Sequence, residues 1–227
     1  MAAHTEKIKI GTRVSPIPFY LPSRLAKIVT TVDIVSEGRT ILGVGAAWHR
    51  EEAITYGIKW GSHKERIERM LEGLKIILSL WSQEKATFKG RYYQVTDAPF
   101  WPKPVQKPHP PIWFGGSSNA ILEATAQYGT GLFPPADISL NKLESLHNRL
   151  EEMGKRYKRE DCPIIAPALS YPNGIGTERR EWIKNVESHL EKGAGLILID
   201  FSAGYAPPRK AQEFLKRFAE EALPSFH

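Results

Sequence analysis

A single cysteine in 227 residues, Cys162, excludes an internal disulfide and a zinc site built from thiolates alone. Its neighbours, CPIIAPAL, read as the start of a buried strand, without the electropositive, accessible setting that a reactive thiol needs. No apolar run approaches the ~18 residues that cross a bilayer, and the opening MAAHTEKIKI lacks an apolar signal core. A cytoplasmic protein with no membrane partner is therefore expected. The seven histidines form neither HExxH nor a helix-spaced pair with a carboxylate, so no metal site is expected. A GxSxG elbow and a Walker loop are also missing. Charge is present in both signs, 31 basic against 25 acidic residues for a net +6. Most of it is interleaved along helical stretches such as HKERIERM and EEMGKRYKRED, as on a solvated helix face. With no nucleic-acid-binding signature beside it, nucleic acid is not an expected partner.

What the chain does have is the makings of a core. An apolar fraction of 41% with 25% charged residues and a mean hydropathy of -0.34 describes a globular chain, expected as one domain over residues 1–227. Short apolar runs alternate with helical periods. IKIGTRVSP is followed by a helix from about Pro22 to Glu37 with Leu25, Ile28, Val29, Val32 and Val35 on one face, and then by the strand TILGVG. The clearest helix runs from Ser62 to Ser82, opened by a Ser62/Glu65 capping box, with Ile67, Met70, Leu71, Leu74, Ile77, Leu78 and Trp81 at spacings of three and four. Residues 84–111 interrupt the rhythm with a hairpin about Lys89-Gly90 and a proline-stiffened crossing. Alternation then resumes: strand Ile112–Phe114, helix to about Tyr128, strand Gly131–Phe133, helix Ser139–Tyr157, strand Pro163–Leu169, helix Thr177–Lys192, strand Leu196–Phe201, helix Pro208–Ala222. Six strand-helix units with nearly pure apolar strands mean a parallel sheet covered on both faces, either an open doubly wound sheet or a barrel lacking two units.

Two glycine-rich turns follow strands. In IWFGGSSNAILEATAQYG the strand ends at Phe114 and Ser117, Ser118 and Asn119 open a helix, where unpaired amides and the helix dipole attract an anion such as phosphate. An ordinary strand-to-helix turn with serine caps is the plain alternative. GVGAAWHREE has Gly43 and Gly45 of a dinucleotide fingerprint, but Trp48 stands where the third glycine belongs and no acidic residue ends a following strand. The small Ala46 and Ala47 suit a loop against which a flat ring lies; Trp48 as a core plug is the alternative. His49 either faces a ligand or sits at the surface. Asp200, ending LILID, would lie at a barrel's catalytic mouth, or cap the turn SAGYAPP.

Taken together, EKIKIGTRVSPIPFYLPSRLAKIVTTVDIVSEGRTILGVGAAWHREE, SHKERIERMLEGLKIILSLWS, FKGRYYQVTDAPFWPKPVQKPHPPIWFGGSS, GAGLILIDFSAG and FAEEALP resemble the luciferase-like monooxygenase superfamily, especially its deazaflavin (coenzyme F-420)-dependent branch. The resemblance covers nearly the whole chain. It implies an α/β TIM-type barrel of the bacterial luciferase-like kind, with residues 84–111 as its inserted excursion. Family chains begin with two further strand-helix units, and AAHTEKIKIG resembles the tail of the second helix, so an N-terminally truncated barrel of about six units is expected. Carried over by position, Arg13, Val14 and Ser15 match a bulged strand end, often with a non-proline cis peptide, against which the isoalloxazine-like ring rests. Ala46, Ala47 and Trp48 match the loop beside the ring or its ribityl chain, and Gly115, Gly116, Ser117 and Ser118 match the phosphate-gripping loop. The implied cofactor is coenzyme F-420, with FMN as the alternative, and the implied activity is hydride transfer to or from a small organic substrate. An FMN-dependent monooxygenase or reductase, or a cofactor-binding protein without turnover, are the other readings. Catalytic residues stay unassigned, because the units before Ile8 normally supply them. Apolar strand edges at Ile8–Val14 and Leu196–Phe201 lead to the expectation of a homo-oligomer.

Overall fold

The computed structural model describes residues 1–202 and 207–226. It forms two compact units, Met1–Gly115 and Gly116–His227. In the first unit the run expected as one strand from Ile8 is two short strands, β1 (Ile10–Gly11) and β2 (Ser15–Pro16), both parallel to β3 (Thr40–Gly45). On its other side β3 pairs in parallel with β6 (Ile112–Gly115), Leu42 opposite Ile112 and Val44 opposite Phe114. β3 and β6 are almost wholly buried, as apolar strands covered on both faces must be.

Helix α1 (Pro22–Val35) buries Pro22, Leu25, Ala26, Val29, Thr30 and Asp33, whereas Ile28 and Val35, expected inside, are exposed. The inward stripe is set by two polar residues whose partners lie far along the chain. Thr30 accepts the indole N–H of Trp81 at 3.0 Å. The fully buried Asp33 carboxylate accepts the backbone amides of Val105 (2.8 Å) and Gln106 (3.1 Å) and the Gln106 side-chain amide (2.6 Å). Buried polar groups persist where such partners exist. After the short α2 (Arg50–Thr55) comes α3 (His63–Ser82), opened by the expected capping box: Glu65 N–H donates to Ser62 Oγ at 3.2 Å and Ser62 N–H to Glu65 Oε2 at 2.7 Å. The Ser62 amide, and after it the Ser62 hydroxyl, hold the Glu65 carboxyl below the usual range. The excursion is an antiparallel hairpin of β4 (Lys85–Lys89) and β5 (Gln94–Pro99), with Lys89 opposite Gln94. Its loop is tied to α3 by Glu72, which accepts the amides of Arg91 and Tyr92 at 2.9 Å and of Tyr93 at 3.2 Å.

The second unit continues the alternation with α4 (Asn119–Tyr128), β7 (Gly131–Phe133), α5 (Leu140–Arg156), β8 (Ile164–Ile165), β9 (Ala168–Ser170), α6 (Arg179–Glu191), β10 (Leu198–Asp200) and α7 (Pro208–Glu221). β7 pairs in parallel with β8, and β9 with β10. The expected strand Pro163–Leu169 is interrupted because Pro167 has no amide to give a ladder. Cys162 is exposed and precedes the strand, correcting its expected burial. Partial burial of its sulfur and the nearby Glu151 carboxylate push the thiol up, so it is a weak nucleophile. Leu169, Ile175, Trp182, Val186 and Phe214 form a core here, with Phe214 4.6 Å from the Tyr171 ring and 5.1 Å from Trp182. Counting the interrupted strands once each, the described residues hold six parallel strand positions, each followed by a helix, as the sequence pattern implied.

Candidate functional site

At the C-terminal end of the first unit's sheet, the chain leaves β1 through Thr12 and enters β2 at Ser15. The Arg13–Val14 peptide between them is cis, the feature that the resemblance attaches to this position. Hydroxyls hold the bulge: Thr12 Oγ1 donates to the Gly43 carbonyl at 3.0 Å, and Ser15 Oγ donates to Thr12 Oγ1 at 3.1 Å. Ser15 is thereby buried, while Arg13 stays exposed. Val14 lies flat over the ends of β3 and β6. A methyl group added at Gly45 would lie 2.6 Å from Val14 Cγ2, and one added at Gly115 would lie 2.9 Å from Val14 Cγ1. Glycine at both positions is what lets Val14 seat, leaving a smooth floor of small residues.

The next loop leaves that floor. Ala46 is buried, Ala47 takes a left-handed φ of 67°, and Trp48 is 85% exposed. A left-handed alanine turns the chain sharply, and the core-plug reading of Trp48 is excluded by its exposure. His49 serves as the N-cap of α2, its Nδ1 accepting the Glu52 amide at 3.0 Å, with the Trp48 ring edge-on to it at 5.1 Å. That bond requires Nδ1 to be unprotonated, so the neutral ring carries its proton on Nε2. The sequence pattern missed both α2 and this cap; an Asp, Asn or Ser at 49 would have signalled it, whereas His is an uncommon cap.

In the second unit Gly116 has a φ of 127°, a conformation that glycine alone adopts readily, and its amide donates to the Phe133 carbonyl at 2.9 Å. That amide is therefore committed to the backbone. The groups left to receive an anion are the amides that follow it at the start of α4, which have no acceptor within the helix. Ser118 is the N-cap, accepting the Ile121 amide at 3.4 Å, as its alternative reading held, and Ser117 is half-exposed. Arg149 of α5, which the sequence reading did not single out, hydrogen-bonds the Asn119 side chain and sets a guanidinium beside the same helix start. Its signal lay on a predicted solvated face, where position in the fold and not residue type decides. Asp200 accepts the amide and hydroxyl of Ser202 at 2.8 and 2.6 Å, so it caps the chain at Ser202, where SAGYAPP begins; residues 203–206 of that segment lie outside the described residues. Among the described residues no group of acidic, histidine or cysteine side chains could hold a metal, and no helix is long and apolar enough to cross a membrane.

The profile of the luciferase-like monooxygenase family matches residues 1–221. An FMNH(2)-dependent dimethylsulfone monooxygenase of Pseudomonas putida is 33% identical over 153 residues, 67% of this chain and 41% of that protein. An F420-dependent glucose-6-phosphate dehydrogenase of Microbacterium testaceum (strain StLB037) is 36% identical over 132 residues, 58% of this chain and 38% of the relative. The chain thus matches about two fifths of the length of these relatives. Among solved structures, the monooxygenase RslO1 from Streptomyces bottropensis superposes with a TM-score of 0.87 at 19% identity, over 100% of this chain and 80% of that one. The coenzyme F420 dependent tetrahydromethanopterin reductase from Methanopyrus kandleri gives 0.86 at 15% identity, over 100% and 85%. At these identities the structural likeness shows a shared fold.

Proposed function

The chain belongs to the luciferase-like monooxygenase family, with its TIM-type α/β fold, and from that premise we propose that it is an oxidoreductase using coenzyme F-420 and a small organic substrate. The observation that carries this reading is the floor made by Val14 between Gly45 and Gly115, next to a loop that is small, then left-handed, then aromatic and exposed. A flat tricyclic ring fits such a surface. In this reading Arg13, Val14 and Ser15, with Ala46, Ala47 and Trp48, hold the ring end of the cofactor. Gly115, Gly116, Ser117 and Ser118 hold its phosphate within the same domain, residues 1–227.

The donor chemistry at the start of α4 suits a phosphate: free helix amides, the positive end of the helix dipole and the Arg149 guanidinium. The Gly116 amide is tied to the Phe133 carbonyl, and Ser118 caps the helix. When bound, the deazaflavin supplies a ring carbon that gives or takes hydride, and the protein's part is to fix the ring face and limit water around it. Trp48 provides an apolar wall, and His49, with its proton on Nε2, provides a donor beside it.

The same loops accept the phosphate of FMN, and the dimethylsulfone monooxygenase favours that second reading. Titrating coenzyme F-420 and FMN into the purified protein separates them. Tight binding of the deazaflavin, no oxygen consumption, and weaker binding after Gly116→Val are expected. Unchanged affinity in that variant removes the assigned loop, and substrate-dependent oxygen uptake with FMN reverses the choice of cofactor. A homo-oligomer is part of this reading, supported by the exposed apolar side chains of Leu21, Ile28 and Trp101, and a monomer by light scattering at high concentration counts against it.

A further inference from the structure

A second concentration of positive charge in the first unit has no task in the reading above. Arg66, on the second turn of α3, is 9% exposed and stacks on the Trp60 ring, its guanidinium carbon 3.8 Å from the ring centroid. Its Nη1 donates to the Gly61 carbonyl at 3.0 Å, but its buried Nε has no hydrogen-bond partner. No carboxylate pairs with it among the described residues, and burial pulls the guanidinium below its usual value. One turn on, Arg69 is held by two carbonyls, those of Lys59 and Pro18, each at 3.1 Å. Neither contact neutralises charge. Arg69 and the exposed Lys59 line a cleft of about 240 Å³ with Gly61, Arg91 and Tyr92, and Arg66 meets it only through Gly61, whose carbonyl it holds.

The negative groups nearby are already occupied. Glu65, which also lines the cleft, has its carboxylate in the capping box. Glu68 accepts the Tyr92 hydroxyl at 2.7 Å and stands 3.6 Å from Arg91. The helix start is not what would attract an anion here, since the Glu65 carboxylate already sits on it, taking the Ser62 amide in the capping box. Attraction comes from the side chains that line the cleft: among the described residues neither Lys59 nor Arg69 is ion-paired with a carboxylate. Position adds a second argument. Pro18, which accepts from Arg69, follows β2, and Lys59 and Gly61, which line the cleft, follow β3 and α2, so the segments that build and brace the cleft come after the C-terminal ends of parallel strands. That is the end of the sheet at which Val14 makes its floor.

We propose that this cleft is an anion subsite, taking a carboxylate or phosphate group carried by the ligand whose ring or reacting part lies at the Val14 floor. The inference rests on the functional reading for the identity of the ligand and stands on its own for the binding of an anion. A cleft of this size admits one such group, being smaller than the usual ~300–1,000 Å³ of a drug-sized site. The group has two possible sources, the substrate and the acidic tail of the deazaflavin, and both present the same oxygens to Arg69 and Lys59.

The test needs no cofactor at first. Inorganic phosphate and glutarate are titrated into the full chain, followed by the side-chain N–H signals of Arg69 in ¹H–¹⁵N spectra. Saturable shifts are expected, together with a rise in Tm. The double variant Lys59→Gln/Arg91→Gln, both positions exposed, should keep the fold and bind phosphate about tenfold more weakly or worse, as loss of charge-assisted hydrogen bonds implies. Absent shifts, or equal shifts in wild type and variant, overturn the subsite. Coenzyme F-420 is then titrated into both proteins. Weaker binding by the variant assigns the group to the cofactor, and unchanged cofactor affinity with lost phosphate binding assigns it to the substrate. A protein that binds phosphate in this cleft but no deazaflavin keeps the subsite and loses the functional reading instead.

Discussion

Gly115 and Gly116 are neighbours in sequence, yet they are glycine for different reasons, and Gly45 sides with the first. At Gly45 and Gly115 the constraint is room, because Val14 occupies the space a side chain would need. At Gly116 there is more space, the nearest atom to an added methyl being Ile121 Cγ1 at 3.4 Å, but φ is 127°. One glycine pair thus joins a steric requirement in the first unit to a conformational one in the second. A glycine-rich loop read only as flexible would hide both.

The distinction is sharpest in a pair of substitutions. Gly45→Ala should cost about 2–3 kcal/mol in urea unfolding, the upper part of the range for overpacking, and Val14→Ala in the same chain should restore part of it. Gly116→Ala should cost about 1–2 kcal/mol through its backbone, and Val14→Ala should restore none. Recovery in both cases, or in neither, removes the comparison. The starts of α2 and α3 in the first unit extend it. His49→Ala takes one acceptor from α2 and should cost about 1 kcal/mol, with faster hydrogen exchange at the Glu52 amide and little change in α3. The smallest effect belongs to Glu65. Donors from Ser62 lower its folded-state pKa, so its contribution is present above the unfolded carboxylate value, about 4.3, and disappears as pH falls through the lower folded value. The stability difference between wild type and Glu65→Gln should therefore shrink in acid, and a difference that persists at pH 2 counts against the box as its source.

Sequence periodicity carried the strand-helix rhythm, the capping box of α3 and the hairpin, because each depends on neighbours within about one or two turns. It misplaced the inner face of α1, where Thr30 and Asp33 go inside because Trp81 and Gln106 meet them. Hydrophobicity alone sends Ile28 and Val35 there instead. The candidate site was legible as loops, through the family resemblance and the glycine spacing. Its mechanics were not: the commitment of the Gly116 amide to Phe133, the cap at His49 and the guanidinium of Arg149 all depend on segments brought together only by folding.

Asp33 also makes the excursion modular. Its carboxylate clasps Val105 and Gln106 more than seventy positions away, and Gln106 in turn reaches the Thr40 carbonyl at the start of β3. The clasp fastens the far stem of the hairpin segment directly to the helix and strand that frame the floor. A change between Lys85 and Pro99 is therefore expected to be felt by α3, through Glu72, and to leave that frame in place as long as the Val105–Gln106 stem docks on Asp33.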